Sequence, residues 1–343
     1  MIRFFSLLLL LTIHEKACAQ TPRPFRVMFY NVENFFDVID NPETDDDEFT
    51  PEGLRHWHYG RYYHKLKQIS KVITAAGEWD TPAIVGLCEI ENDSILDHLT
   101  RRTPLRRQEY KYLSAQTNDP RGTRVALLYQ RDRFRYLHHE SHSIRFSRKK
   151  HKETRHILHV AGQITPSDTL DLFVIHFPSR YGGEKESERD RMDAATTLRH
   201  LADSILSHRQ TARLIIMGDF NDTPQDKSLK NILTRPKGLT NLFASRNGLQ
   251  PPGTHKYQGR WSQLDQIIVN EDLLGKDPVF RFQEGSALIF QPRFLFTNDK
   301  TWRGQRPFRT YHGYRYEGGF SDHLPILADF TIGPFLPKEH SEN

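Results

Sequence analysis

Seven short apolar runs, each four to six residues long, constrain this chain to a layered arrangement of buried strands. They are Arg26-Val27-Met28-Phe29-Tyr30, Ala83 to Leu87, Val125 to Tyr129, Leu170 to Ile175, Leu214 to Met217, Gln266 to Val269 and Leu327 to Phe330. Runs of this length suit strands buried on both faces and are too short for core helices. Two longer stretches between them carry helical spacing. Tyr62, Leu66, Ile69 and Ile73 follow i, i+4, i+7, i+11, and Gly77 is placed to stop the helix. Glu186 to Ser207 carries Met192, Ala195, Leu198, Leu201 and Ile205 at near-helical intervals. Strands and helices mixed in this way predict an α/β layered protein. The chain has 343 residues, 37% of them hydrophobic, enough for one large core. With no internal repeat and no low-complexity linker, residues 20–343 read as a single domain. No run of eighteen apolar residues exists to cross a bilayer.

The N-terminus reads differently. Met1-Ile2-Arg3 is a positive start, Phe4 to Ile13 is mostly apolar, and Ala17-Cys18-Ala19 offers small residues before Gln20. This is the pattern of a secretory signal cleaved near Ala19, so residues 1–19 are expected to be removed and the protein to be secreted or periplasmic. Cys18 offers a lipoprotein anchor as the rival reading, but Glu15-Lys16-Ala17 lacks the apolar residue such a site needs. Cleavage leaves Cys88 as the sole cysteine, which excludes an intramolecular disulfide and suits a bacterial exterior. The chain's net charge of +5 permits a polyanionic partner without requiring one. Asp45-Asp46-Asp47-Glu48 reads as a solvated loop.

Several strands run into polar residues. Tyr30 leads into Asn31, Cys88 into Glu89, Ile175 into His176, and Gly218 into Asp219 and Asn221. Asp265 opens one strand, and Ser321-Asp322-His323 precedes another. Each residue alone is ordinary: an Asp after a strand is usually a turn residue. Sheets with parallel pairs gather such ends on one edge, where ligands bind. If extended geometry persists past Asp219, then Asp219 and Asn221 share a face while Phe220 points into the core. Gly218 allows close backbone approach.

The segments FYNVENFFD, GLCEIEN, RGTRVALLY, IHFPSRYGG, MGDFNDTP, SQLDQIIV and FSDHLPI occur in this order between residues 26 and 330. Together they resemble the endonuclease/exonuclease/phosphatase superfamily, which includes pancreatic-type deoxyribonucleases, abasic-site endonucleases, inositol-polyphosphate phosphatases and bacterial sphingomyelinases. The resemblance implies a four-layer α/β sandwich, two mixed β-sheets packed face to face with helices outside. It implies a metal-dependent phosphoester hydrolase. Glu89 would be the principal ligand of a divalent metal, with Asn31 and Asp322 contributing. Asp219 would position or deprotonate the attacking water, and Asn221 would contact the phosphate. His323, held by Asp265, and His176 would act at the scissile phosphate. Mg2+ is the implied cofactor, with Mn2+ or Ca2+ as alternatives; sparse carboxylate and amide oxygens suit such an ion. Arg124 stands where many members carry an acidic residue. Phe177-Pro178 departs from the commoner context after His176. Arg180, in the SRYGG segment typical of a secreted bacterial subgroup, is a candidate phosphate contact.

Two stretches bear on the substrate. Arg131 to His156 is dense in Arg, Lys and His. Trp302 to Phe320 interleaves Arg303, Arg306, Arg309 and Arg315 with Phe308, Tyr311, Tyr314 and Tyr316. Basic groups track a phosphate backbone and aromatic faces stack on bases. The expected function is thus an endonuclease on DNA or RNA, acting as a monomer. A phosphatase or sphingomyelinase-like esterase on a small phosphorylated molecule or lipid head group is the alternative. Both basic stretches can also be structural, as a solvated strand pair and a packed loop.

Overall fold

A computed structural model describes residues 22–333 except Trp79, 149–151, 236–237, 245–252 and Lys276. The expected signal segment, with Cys18, lies outside the described residues.

The apolar runs form two mixed sheets. In the first, β1 (Arg23–Phe35) pairs in parallel with β2 (Ile84–Ile90), and β2 pairs antiparallel with β4 (Arg124–Tyr129), which pairs with β3 (Lys111–Ser114). On the other side of β1 lie the strands Ile326–Ile332 and Phe280–Phe282. The second sheet runs β5 (Arg135–His142), β6 (Ile157–Thr165), β7 (Asp168–His176), β8 (Leu214–Asp219), the strand Asp265–Asn270, then β9 (Leu239–Asn241). There β7 and β8 are parallel and the other neighbours antiparallel. Each sheet thus carries one central parallel pair.

Alternation along the strands builds the layers. Leu172, Val174, Ile215, Met217 and Ile267 turn inward and share one core with residues of the first sheet. Phe173, Ile216 and Ile268 turn outward onto Ala194, Ala195 and Leu198 of α3 (Glu184–His208). The helix α1 (Tyr59–Ala76) covers the first sheet with Tyr62, Leu66, Ile69 and Ile73, the four residues of the helical spacing, and the shorter α2 (Asp93–Arg101) follows β2. The four-layer sandwich is therefore as the sequence implied. Burying each such Leu, Ile or Val side chain contributes roughly 1.5–3 kcal/mol.

Two glycines are set by close approach. A Cβ on Gly218 would lie 2.3 Å from the Ile175 carbonyl oxygen, and one on Gly77 would lie 2.5 Å from Cα of Thr81. Gly77 thus ends α1 by admitting the returning chain, at an ordinary φ of −78°. Of the strands that lie outside the seven apolar runs, one is central. In β6, Gly162 lies under the Phe134 ring and His159 and Gln163 break the apolar run, yet the strand sits at the heart of the second sheet.

Candidate active site

The two parallel pairs direct their carboxyl ends to one edge of the sandwich. The polar residues expected just beyond the strands lie within them. Asn31 is part of β1, Glu89 is the penultimate residue of β2, and His176 and Asp219 close β7 and β8. His176 and Asp219 are register partners, and so are Asp219 and Asp265 across the antiparallel pair. Two irregularities aim the first-sheet residues. The β1–β2 register shifts between Asn31 and Phe35, where Glu33 and Asn34 have positive φ. The β2–β4 register shifts between Cys88 and Ile90, where Glu89 has φ 63°. Such bulges redirect a side chain that regular pleating would send elsewhere.

The result is a compact polar cluster bridging both sheets. Asn31 Nδ2 donates to Glu89 Oε1 and to Asp219 Oδ2, each at 3.1 Å, while its Oδ1 accepts from the Glu33 N–H. Glu89 Oε2 accepts from the Asn34 N–H at 2.6 Å. His176 Nε2 lies 3.6 Å from Asp219 Oδ2 and 4.0 Å from Glu89 Oε1. His323 Nδ1 lies 2.7 Å from Asp265 Oδ2, and its Nε2 lies 3.8 Å from Asp219 Oδ2. Ser321 fixes the approach of His323: its hydroxyl donates to the Asn31 carbonyl and accepts from the His323 N–H.

Burial and charge drive these groups apart in protonation. Desolvation, with the nearby Arg155 and Arg121 charges, holds His176 well below the usual histidine range. Burial also opposes charge on His323, but the carboxylates of Asp265 and Asp219 outweigh it and raise His323 well above that range. Asp219 is pushed up to about 7, mainly by desolvation and further by Asp265, against the pull of His323. One neutral and one charged imidazole therefore face a carboxylate poised near neutrality, as acid–base chemistry requires.

Other expected residues sit differently. The chain turns at Asn221, which has φ 51°, so extended geometry does not persist beyond Asp219. Its N–H donates to Asp219 Oδ1 at 2.8 Å, and its amide donates to the Phe177 carbonyl. Phe220 is buried against Phe177 in the α3 layer, as expected. Asp322 is paired with Arg309, which holds it below the usual carboxylate range despite burial. The Arg180 guanidinium is engaged by Glu184, Asp222, Asp226 and the Asn221 carbonyl, so it braces the loop after β8. The Trp302–Phe320 stretch is partly a packed loop. Arg306 and Arg315 pair with Glu317, Tyr311 is buried, and Trp302 and Tyr314 stay exposed. In the Arg131–His156 stretch, β5 is an exposed edge strand.

The sequence reading missed two features. His255 packs its ring 4.7 Å from that of His323, with Nε2 3.9 Å from Asp322. Beneath the cluster, buried Lys65 donates to the Glu33 carbonyl and the Thr310 hydroxyl, and Glu33 accepts from the Thr310 N–H while facing Arg309. His255 lies in a region without apolar periodicity. Lys65 was visible only as a charge between Tyr62 and Leu66 on the buried face of α1.

A family model described as the endonuclease/exonuclease/phosphatase family matches residues 26–331. The chain belongs to this family. No curated protein matches the chain by sequence. Three solved structures share its fold. An endonuclease/exonuclease/phosphatase family protein from Bacteroides thetaiotaomicron is 15% identical with a TM-score of 0.57, over 95% of this chain and 100% of the other. The human Nocturnin catalytic domain with bound sulfate is 18% identical with a TM-score of 0.55, over 90% and 93%. D. rerio TDP2, complexed with single strand DNA product, is 15% identical with a TM-score of 0.55, over 90% and 98%. Family membership makes the chain a metal-dependent phosphoester hydrolase.

The cluster fits the divalent cation on which this family depends. Its metal-ligating atoms are chiefly the carboxylate oxygens of Glu89, Asp219 and Asp265, the hard set that magnesium-like ions take. Asp265 Oδ1 is buried without a hydrogen-bond partner among the described residues, and donor atoms of Asp219, Asp265 and His323 lie within 4.8 Å of one another. Glu89 and Asp219 present their carboxylate oxygens to the Asn31 amide nitrogen that lies between them, whereas Asp322 is engaged by Arg309.

Proposed function

We propose that the chain is an exported, magnesium-dependent phosphodiesterase that hydrolyses nucleic acid. The observation that carries the chemistry is the convergence of His176 and His323 on Asp219 Oδ2, with their Nε2 atoms at 3.6 Å and 3.8 Å. Asp219 is the carboxylate placed to take a proton from the attacking water: its Oδ2 accepts from Asn31 and faces both imidazoles, while Oδ1 accepts from the Asn221 N–H. His323, oriented by Asp265, presents Nε2 as a charged donor to a phosphate oxygen. His176 adds a neutral imidazole at the same point. Glu89, with Asn31 beside it, would hold the cation, which when bound neutralises charge on the non-bridging oxygens. Asn221 positions Asp219 through its backbone, and Arg180 holds the loop that carries both.

Two features support a nucleic acid as the polymer. Exposed Tyr181 lies five residues after His176, and exposed Tyr257 lies two after His255, giving aromatic faces on segments that leave the cluster. A relative of the same fold, D. rerio TDP2, has been seen with single strand DNA product. Export rests on residues 1–19 of the sequence.

The test is hydrolysis of plasmid DNA, single-stranded DNA and RNA beside a phosphomonoester panel and sphingomyelin, in magnesium with and without chelator. Chelator-sensitive degradation of nucleic acid, absent in His323→Ala, is the expected outcome. Release of phosphate or head group with nucleic acid untouched would move the substrate to the phosphatase or lipid branch.

A further inference from the structure

A second group of metal-binding side chains lies on the outer face of the second sheet. Glu140 and His142 are two apart on β5, so they share a face, and His159 is the direct register partner of Glu140 on β6. One ligand atom from each of the three lies within 4.8 Å of the others. Phe173 stacks on the His159 ring and packs in the α3 layer. His176, three residues further along β7, is about 10 Å away at strand spacing and points to the opposite face. The group is therefore separate from the catalytic cluster.

We propose that Glu140, His142 and His159 form a second metal site that takes a transition-metal cation of the zinc type. Two imidazoles and one carboxylate suit zinc, with a fourth position left to water; magnesium and calcium prefer all-oxygen sets. The outer shell is already built. Asp171 is fully buried and lies 3.0 Å from His159 Nε2, while Arg209 holds both of its oxygens at 3.0 Å. A carboxylate on one ring nitrogen fixes the tautomer and leaves the other nitrogen with its lone pair free for a metal. Next to this face, both ring nitrogens of His156 are buried without a hydrogen-bond partner among the described residues, a deficit that an ion or its water would relieve. A bound cation would clip the exposed edge strand β5 to β6, so zinc binding and the stability of that edge are coupled.

The experiment is equilibrium dialysis of the purified protein against zinc sulfate in excess magnesium chloride, with metal counted by mass spectrometry and thermal melts run alongside. The wild type is expected to retain zinc and to melt higher in its presence. His142→Ala and Glu140→Gln should each weaken zinc binding at least roughly tenfold and remove the rise in melting temperature. Neither should alter the zinc-free melt or magnesium-dependent hydrolysis. Glu140→Gln keeps the side-chain volume, so it carries the test if His142→Ala does not fold. Absence of retained zinc in the wild type would overturn the site. So would zinc binding that both variants preserve and Asp265→Asn abolishes, which would assign the ion to the catalytic cluster. This result is independent of which phosphoester the enzyme cleaves.

Discussion

Replacing Asp265 with asparagine keeps the volume of the side chain and removes the charge that His323 Nδ1 meets at 2.7 Å. A hydrogen bond to a charged group contributes about 1.5–3 kcal/mol. Burial then acts on His323 with only Asp219 and Asp322 left to oppose it, and the largest raising interaction, that of Asp265, is gone. At 1.36 kcal/mol per pH unit, the alkaline limb of the rate profile should move to lower pH by about one to two units. The sign follows from the role. His323 acts in its charged form, so the rate falls as pH rises through its pKa, and the fall begins earlier in the variant. At a pH between the two limbs the rate should drop roughly 10- to 100-fold. The acid limb reports Asp219, whose rate contribution grows as it ionises near pH 7 and at lower pH once a cation favours the carboxylate. The assay is hydrolysis of an activated phosphodiester in magnesium across the pH range, with circular dichroism confirming the fold. An unchanged alkaline limb, with turnover within a factor of two of wild type, would refute the assignment of His323 as the charged group held by Asp265.

His323→Ala should abolish turnover and, by leaving the buried Asp265 carboxylate without its partner, lower the melting temperature while the circular dichroism of the folded state is kept; an active, folded variant would remove His323 from the chemistry. Glu89→Gln should shift the magnesium titration of activity at least roughly tenfold to higher concentration, and an unmoved titration would place the principal ligand elsewhere. Arg155→Met leaves the Asp119 carboxylate buried without its main partner, at a cost of about 3–5 kcal/mol in urea unfolding at pH 7. Burial raises the Asp119 pKa, but Arg155 and Arg121 outweigh it and hold it below the ordinary range. That stabilisation is present above an unfolded pKa of about 3.9 and is lost as pH falls through the folded value, so the gap between wild type and variant should narrow in acid. Tyr181→Ala with Tyr257→Ala should weaken single-stranded DNA binding by about 1–3 kcal/mol per lost stack and leave hydrolysis of a small phosphodiester unchanged.

The buried strands that carry the site were legible because an apolar run followed by Asn31, Glu89, His176 or Asp219 is a local, one-dimensional signal. The same holds for α1, whose spacing of Tyr62, Leu66, Ile69 and Ile73 records one buried face. Family motifs supplied the sandwich and the candidate residues. Local pattern could not supply convergence. Asn31 meets Asp219 across 188 positions of chain, and Asp265 meets His323 across 58, because two sheets pack face to face with their parallel pairs aligned at one edge. The turn at Asn221, the bracing of Arg180 and the pairing of Asp322 with Arg309 depend on which loops cross there. His255 lies on a short strand without apolar periodicity, and Glu33 and Lys65 are charged residues of β1 and α1 that became site neighbours only when those elements packed together. Sequence alone determined seven apolar strands and which residue types they deliver to the site. Tertiary structure decided which of those residues share a dielectric environment, and through it which histidine is charged and which is neutral.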